Sequence, residues 1–168
     1  LKKNPKDKEA FTGYFTVIRR EGGKLKAIPY SEYYKKQLTQ AAKLLTEAAA
    51  AAKDKRLKKY LESRAKAFAS NNYRASDMDW MDLGDGAGEV VIGPYEVYED
   101  TLFGYKAAFT AFVNLRDPKY SQRLAKIVPH IPYLQQQLPM KAADKKANRG
   151  KEVPISVVVQ LFTGGDTK

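Results

Sequence analysis

The side chains best suited to chemistry lie in the sequence Gly-Pro-Tyr-Glu-Val-Tyr-Glu-Asp at positions 93–100. If this segment is extended, its side chains alternate between faces, so Glu96, Tyr98 and Asp100 share one face while Tyr95 points the other way. Carboxylates accept charge-assisted hydrogen bonds, and a phenol can orient them. The shared face therefore predicts a binding site for an ammonium group, such as the amino terminus of a peptide. The same alternation also fits a polar outer face on a half-buried strand.

Groups for self-contained catalysis are scarce in the sequence. The one histidine, His130, has no partner at metal-ligand spacing, and we expect it to be structural or exposed. The chain has no cysteine, which removes disulfides, thiolate nucleophiles and cysteine-bound metals from these residues. No serine-hydrolase elbow and no helical His-Glu-x-x-His zinc motif occurs. We therefore predict that this chain contains no catalytic residue, no metal ligand and no cofactor-binding residue.

An acidic, glycine-rich stretch precedes the central segment. Asp77, Asp79, Asp82 and Asp85 are dense enough to suggest calcium, but their spacing is not that of a calcium-binding loop. The glycines of residues 82–88 precede a predicted strand, whereas a dinucleotide-binding loop follows one and opens a helix. We expect these aspartates to form turns and helix caps.

Charge is unevenly distributed along the chain. The net charge is +11, with 18 basic and 7 acidic residues in 1–72, 2 and 8 in 73–115, and 10 and 4 in 116–168. This basic balance makes nucleic acid or an acidic partner a candidate. Basic residues in segments such as 55–59 recur at helical spacing, which is typical of a solvated helix face. We do not expect specific nucleic-acid binding.

Hydrophobic spacing predicts the elements that must position these groups. Two glycines between the apolar runs 15–18 and 25–28 predict a β-hairpin. A helix is predicted over 31–53, with its first residue, a serine, as the N-cap. A second helix is predicted from a cap at Asp54 to Asn71. These two helices would pack through their apolar stripes.

The second half of the chain predicts shorter elements. Ser76 caps a short turn, a strand covers 89–92, and 109–115 fits either a strand or the end of a helix. A helix starts at Asp117 and bends near two prolines. Residues 154–162 are rich in β-branched side chains and predict a buried strand.

Together these elements predict an α+β fold, with helices packed beside a small, mostly antiparallel sheet. We expect a helical and β region over 1–138, a Lys-rich linker over 139–152 and a strand segment over 153–168. No apolar run approaches the ~18 residues that a membrane-spanning helix needs, so no membrane partner is expected. Composition does not fix the compartment.

Three blocks of sequence resemble the dipeptidyl peptidase III family of zinc peptidases. They are Asp77-x-x-Trp80-Met81-Asp82-Leu83, the segment 91–100 and the segment 102–109. The likeness is greatest to bacterial members and to the related half of plant proteins fused to a Nudix domain, although no Nudix signature occurs here. It is specific over residues 77–139 and weaker over the rest of the chain.

The resemblance implies one lobe of a two-lobed enzyme. One family lobe is mostly helical and carries zinc, and the other has a β core that receives the peptide as an added strand; this chain is similar to the second. Glu96 and Tyr98 match the family's Glu-x-Tyr positions for the substrate's free amino terminus, with Asp100 as a supporting carboxylate. Family members usually carry a further ammonium ligand, a glutamate, where this sequence has Thr110. The family's His-Glu-x-x-x-His zinc motif and later glutamate would lie beyond Lys168.

We therefore expect the peptide amino-terminus-binding part of a zinc-dependent hydrolase, with zinc in the full-length parent and none in this chain. The expected partners are a peptide substrate and the catalytic lobe of the same polypeptide, and the chain by itself is predicted to be inactive. Two other functions stay open. A noncatalytic peptide-binding module would keep the Glu96 and Tyr98 surface. A basic scaffold for nucleic acid or acidic partners would bind with steep salt dependence.

Overall fold

The computed structural model describes residues 7–84, 86–101, 103–146 and 156–165. Its helices are α1 (Lys8–Thr12), α2 (Tyr30–Tyr33), α3 (Lys35–Ala51), α4 (Lys55–Ser70), α5 (Arg74–Met81), α6 (Pro118–Ala125), α7 (Ile131–Gln137) and α8 (Ala142–Lys146), with a 3-10 turn at Val128–His130. Its strands are β1 (Thr16–Glu21), β2 (Lys24–Pro29), β3 (Gly88–Glu96), β4 (Ala108–Arg116) and β5 (Val158–Gly165). The helices and the two antiparallel sheets, β1–β2 and β3–β4–β5, confirm the predicted α+β class.

The predicted β-hairpin is confirmed. β1 and β2 pair antiparallel along their whole length, ending at Glu21 opposite Lys24. Gly22 and Gly23, which join them, have φ angles of 55° and 78°. A two-residue type I′ turn needs a positive φ at both positions, and glycine adopts it at little cost. The turn therefore sets the register of the hairpin.

The helix predicted over 31–53 is two helices, because the chain leaves helical geometry at Tyr34, where φ is −102° and ψ is 22°. Ser31 is not the N-cap that we expected. The Tyr30 N–H, at the first position of α2, donates to the Phe15 carbonyl at 2.9 Å. The hairpin thus satisfies a helix donor that would otherwise need a side-chain cap.

The second predicted helix is confirmed as α4, together with both of its ends. Asp54 Oδ1 accepts hydrogen bonds from the backbone N–H groups of Arg56 at 2.8 Å and Leu57 at 3.4 Å. These bonds, chiefly the one from Arg56, hold the pKa of Asp54 below its usual value. At the other end Asn71 takes a left-handed conformation with φ of 59°, which ends the helix.

The hydrophobic core lies between the helices and one face of the three-stranded sheet. Its buried members include Leu38, Leu45 and Ala49 of α3 and Tyr60, Leu61, Ala65 and Phe68 of α4. Ile92 of β3 and Phe109 of β4 pack against this cluster. Strands and helices are therefore joined by apolar burial, and α4 becomes the support on which β3 rests.

Within the three-stranded sheet β4 is central, which settles residues 109–115 as strand. The prediction of a buried strand over 154–162 is wrong for its described part. β5 is an edge strand in which Val159, Leu161 and Phe162 are 53%, 59% and 56% exposed. β-branched composition favours a strand, but nothing among the described residues covers its outer side. Residues 154 and 155 lie outside the described residues.

After β4 the chain forms short helices. Asp117 Oδ1 accepts from the Tyr120 N–H at 3.0 Å, which confirms the predicted cap. The expected bent helix is instead broken into α6, the 3-10 turn and α7, because prolines near the junctions cannot donate a backbone hydrogen bond. No residue of α6 or α7 is buried. Within the predicted linker α8 forms, and residues 147–152 lie outside the described part of the chain.

Candidate functional site

The central segment is not extended over its full length, contrary to our expectation. β3 ends at Glu96, and the Asp100 N–H donates to the Val97 carbonyl at 3.3 Å, which closes a turn. A turn ends the two-residue alternation of a strand. The strand geometry from which we predicted the row of Glu96, Tyr98 and Asp100 is therefore wrong beyond Glu96. The role of these residues in binding stays a prediction.

A β-bulge at Tyr95 decides which face Glu96 takes. Pro94 pairs with Phe109 and Glu96 pairs with Ala108, so Tyr95 has no partner on β4. Phe109 packs against the helical core. In an unbroken ladder Glu96, two residues after Pro94, would face that core as well. The extra residue shifts the alternation, and Glu96 takes the face of Ala108 on the opposite side of the sheet.

Tyr95, itself 38% exposed, is held on the helical side of the sheet by contacts with Asp77 and with the buried Arg64. Its hydroxyl donates to Asp77 Oδ1 at 2.7 Å, and Arg64 Nη2 donates to the same oxygen at 2.6 Å. Arg64 is fully buried, at 0% exposure. Its Cζ lies 5.4 Å from the ring centroids of Tyr60 and Tyr73 and 5.3 Å from that of Tyr95. Three aromatic faces thus surround the guanidinium and stabilise its charge.

The electrostatics of this network keep its phenols protonated and its arginine charged. Burial raises the pKa of Tyr73 to about 12. Burial, and next the hydrogen bond to Asp77, raise the pKa of Tyr95. Burial by itself would lower the pKa of Arg64, but the neighbouring Tyr60, Tyr95 and Asp77 outweigh it and the pKa is raised. One carboxylate is therefore shared by a permanent cation and a neutral hydroxyl donor.

Sequence reasoning missed this network. Asp77 and Asp79 do not form the turns or helix caps that we expect. Both lie in α5 and form ion pairs with α4, Asp77 with Arg64 and Asp79 with Lys59 at 2.7 Å. The Ser76 hydroxyl donates to a backbone carbonyl and does not cap a helix N–H. The available signal was that Arg64 follows a tyrosine by four positions, the spacing of neighbours on one helix face.

Asp100 organises the loop after β3. Its Oδ2 accepts from the backbone N–H groups of Tyr105 at 2.7 Å and Lys106 at 3.1 Å. Lys106 Nζ in turn donates to Thr16 Oγ1 at 2.7 Å, which ties the loop to the hairpin. A cavity of about 360 Å³ lies between loop and hairpin, and burial there lowers the pKa of Lys106. Asp100 therefore shapes the loop, and its expected supporting role in ammonium binding stays a prediction.

Two of the three residues of the predicted amine site, Glu96 and Tyr98, remain accessible. Glu96 is half-buried and Tyr98 is 55% exposed. Thr110, which occupies the position of the family's further glutamate, is 2% exposed and pairs with Gly93 on β3 and Gly165 on β5. It lies two residues along β4 from the partner of Glu96, hence on the same face. Beside Glu96, that face carries the hydroxyl of Thr110 where the resemblance implies a second carboxylate.

The β3–β4–β5 sheet has two outer strands with different surroundings. On β3, the Ile92 N–H donates to the Tyr60 hydroxyl of α4 at 3.4 Å, so the helix covers this edge. Among the described residues no strand pairs with the outer edge of β5. An apolar cavity of about 390 Å³ lies between α3 and the sheet, with Phe162 in its wall. An edge strand of this kind can receive a peptide as an added strand.

A metal site is not evident in the parts of the chain that the structure describes. No group of three or more histidine, cysteine, aspartate or glutamate side chains is placed to hold an ion. His130 is exposed in the 3-10 turn, in agreement with its predicted role. None of the helices in the described ranges combines the length and apolarity that a bilayer-spanning segment requires.

Comparison with known proteins identifies the family that this chain matches. The family model for peptidase family M49 matches residues 16–150. Nudix hydrolase 3 from Arabidopsis thaliana is 36% identical over 182 residues, which cover 96% of this chain and 23% of that protein. The structure of DPP III from Caldithrix abyssi aligns with a TM-score of 0.90 and 57% identity, covering 99% of this chain and 32% of that one. Dipeptidyl-peptidase III from Corallococcus sp. strain EGB aligns with a TM-score of 0.77 and 45% identity, covering 94% and 29%. The chain therefore spans under a third of each of these relatives.

Proposed function

Because the chain belongs to peptidase family M49, we propose that it is part of the peptide-binding lobe of a zinc-dependent hydrolase of the dipeptidyl peptidase III type. The resemblance read from residues 77–139 agrees with the family match and with both structural relatives. In this proposal residues 1–138 form the substrate-binding region, 139–152 connect it onward, and 153–168 lead towards the catalytic half. The described β5 strand lies in that last segment.

The bulge that directs Glu96 away from the helical core is the observation that carries this proposal. A half-buried carboxylate on the face opposite the helical core, followed two residues later by the exposed Tyr98 phenol, gives an ammonium group two oxygen partners. Partial burial strengthens a charge-assisted hydrogen bond relative to one in bulk water. Glu96 would bind the amine of a peptide, Tyr98 would orient it, and Asp100 would hold the loop that shapes the turn.

The rest of the peptide would extend along the sheet. β5 has an outer edge with no paired strand among the described residues, and backbone hydrogen bonds to such an edge do not depend on side-chain identity. Sequence preference would then come from the amine and from side-chain pockets. The substrate class proposed is therefore peptides with a free amino terminus.

Zinc chemistry does not belong to this chain in the proposal. A catalytic zinc site uses three protein ligands, and the described residues do not fit one because no cluster of suitable side chains forms. The metal would be held by the remaining lobe of the parent polypeptide. This chain would contribute recognition and positioning of the peptide.

A pair of peptides tests the amine site directly. Calorimetric titration compares a short peptide that has a free amino terminus with the same peptide acetylated, using this chain and its Glu96→Gln variant. We expect the free peptide to bind the unaltered chain about tenfold more tightly, since a hydrogen bond to a charged group contributes ~1.5–3 kcal/mol. Glu96→Gln should remove most of that preference.

A matched control is Glu47→Gln, which removes an exposed carboxylate of α3 whose ion pair with Lys43 is 3.8 Å long. It should keep the preference. Equal affinities of the unaltered chain for the two peptides would contradict the proposal. If the chain binds neither peptide but binds an anionic partner with an affinity that falls steeply as the salt concentration rises, the basic scaffold is favoured instead.

A noncatalytic peptide-binding module is the second candidate, and Thr110 favours it. A buried, neutral threonine stands where the resemblance implies a second carboxylate for the amine. Weaker amine binding suits recognition without turnover. Assaying dipeptide release by the full-length parent separates the two candidates, because both predict amine-dependent binding and only the peptidase predicts cleavage.

A further inference from the structure

We infer that Tyr95, anchored by Asp77 and Arg64, is a positioning residue that holds the β-bulge in place and so keeps Glu96 on the face of the sheet opposite the helical core. This inference rests on the proposed function for its biological meaning. Its geometric part concerns only residues that the structure describes, and it can be tested without any ligand.

The β-bulge requires an anchor. A bulge leaves one residue unpaired and interrupts the ladder hydrogen bonds, so it persists where other contacts favour it. Here the unpaired residue is Tyr95, between the pairs Pro94–Phe109 and Glu96–Ala108. If the ladder became regular, residue 95 would lie opposite Ala108, and Glu96, the last residue of β3, would change face.

The Tyr95 side chain provides this anchor. Its hydroxyl bonds to Asp77 Oδ1 of α5 at 2.7 Å, and its ring centroid lies 5.3 Å from Cζ of Arg64 on α4. Asp77 is itself fixed by the 2.6 Å bond from Arg64. Two helices that belong to the core therefore hold the residue of β3 that has no partner on β4.

The neighbouring backbone of β3 packs closely against Tyr95 and Arg64. A Cβ placed on Gly93 would lie 2.9 Å from Tyr95 Cε2 and 3.0 Å from Arg64 Nη1. The strand therefore passes directly over the guanidinium and the tyrosine ring, with room for glycine alone. This close approach holds β3 against α4 immediately before the bulge.

The anchor at Tyr95 determines the direction of Glu96, the proposed amine-binding residue. Tyr95 and Glu96 are adjacent, so a side chain fixed on the helical face places the next one on the opposite face. Without the anchor, the carboxylate would turn towards the apolar cluster that includes Phe109, where a charge is costly. The ion pair between Arg64 and Asp77 would then fix the direction of Glu96 as well as contribute to packing.

The test uses Tyr95→Phe, which keeps the ring and its contact with Arg64 but removes the hydroxyl. Tyr133→Phe is the matched control, since Tyr133 is 62% exposed on α7. The first readout is the set of nuclear Overhauser contacts between strands β3 and β4. In the unaltered chain we expect contacts between residues 96 and 108, and in Tyr95→Phe we expect these to be replaced by contacts between residues 96 and 107.

The second readout is the ratio of affinities for the free and acetylated peptides. It should fall by about fivefold in Tyr95→Phe, the equivalent of ~1 kcal/mol for one lost hydrogen bond, and should not change in Tyr133→Phe. Unchanged β3–β4 contacts in Tyr95→Phe overturn the inference. Altered contacts with an unchanged ratio overturn its link to recognition. If the unaltered chain shows no preference for the free amine, the proposed function fails, while the contacts still decide whether Tyr95 holds the bulge.

Discussion

The hydroxyl of Tyr95 and the carboxylate of Asp77 are joined by a 2.7 Å hydrogen bond between strand β3 and helix α5. The same Asp77 oxygen accepts a 2.6 Å bond from Arg64 of α4. Three elements that are separate in the chain therefore meet at one oxygen atom. Because the bulge residue is one of the three, the geometry of the predicted amine site depends on a network that lies behind it.

Removal of Asp77 should destabilise the chain more than removal of Arg64. Asp77→Ala leaves a fully buried guanidinium without its carboxylate, a change that typically costs about 3–5 kcal/mol. Arg64→Met leaves a carboxylate whose side chain is 44% exposed, so water can solvate it and the cost should be smaller. Urea unfolding of both variants and of the double variant measures this order and the coupling between the residues.

The exposed pair Lys43 and Glu47 provides a control for that cycle. Their side chains are 78% and 60% exposed, and the coupling in Lys43→Met and Glu47→Ala variants should be about 0.5 kcal/mol or less. A loss of stability in Arg64→Met that equals or exceeds that in Asp77→Ala would contradict this prediction. It would mean that the unpaired guanidinium of Arg64 costs no more than the unpaired carboxylate of Asp77.

Gly93→Ala should destabilise the chain and Gly88→Ala should not do so to the same degree. The added methyl group at position 93 would meet Tyr95 and Arg64 at 2.9 and 3.0 Å, and overpacking of this kind costs about 1–3 kcal/mol. At position 88, on the same strand, the nearest atom would be a carbonyl oxygen at 4.0 Å. Thermal unfolding of the two variants gives the comparison, and equal melting temperatures would contradict the tight packing over Arg64.

Asp79 should contribute stability that disappears in acid. Burial alone would raise the pKa of Asp79, but the hydrogen bonds from Lys59 and Ser63 and the charge of Lys59 outweigh it, and the pKa lies below its usual value. A carboxyl group whose pKa is lower in the folded state stabilises it above the unfolded pKa of about 4 and loses this effect as pH falls through the folded pKa. Asp79→Asn should therefore lower the melting temperature at pH 7, with a difference that shrinks below about pH 4.

The variant Glu47→Gln serves as the control in the same pH series, because its ion pair is exposed and should matter little at either end. A difference between Asp79→Asn and the unaltered chain that stays constant from neutral to acidic pH would mean that the contact with Lys59 does not act through charge.

The purified chain should show neither tight zinc binding nor peptidase activity. Its described residues form no cluster of metal-ligating side chains, and a site that binds only the folded state would raise the melting temperature on adding metal. We expect no such rise with zinc in slight excess and no release of dipeptides from a free-amine peptide. Dipeptide release that a chelator abolishes and zinc restores would overturn this prediction.

Local sequence signals predicted the elements that neighbouring residues decide. The glycine pair of the hairpin, the caps at Asp54 and Asp117 and the helix end at Asn71 each act within a few residues, through φ angles and backbone donors. For that reason the α+β class followed from the sequence. The resemblance that pointed to family M49 came from short sequence blocks as well.

Predictions made from hydrophobic periodicity and strand alternation were wrong where the tertiary structure decides the conformation or the exposure of a segment. The helix over 31–53 is interrupted at Tyr34, whose neighbour Tyr30 bonds back to the hairpin, and β5 is exposed although its composition is that of a buried strand. The central segment ends as a strand at Glu96, four residues earlier than alternation indicated. The bond from Tyr30 comes from a distant part of the chain, and the exposure of β5 depends on what packs around that strand. A local pattern contains neither, and alternation also does not reveal the turn that the Asp100 N–H closes with Val97.

The sequence by itself determined that a carboxylate and a phenol stand two positions apart at the centre of the chain, next to a tyrosine. Only the tertiary structure decided that this tyrosine is the extra residue of a bulge and that Arg64 and Asp77 hold it on the helical side. The physical reason is that side-chain direction along a strand follows strict alternation until one residue is unpaired. Which residue is unpaired depends on partners that lie 18 and 31 positions earlier in the chain.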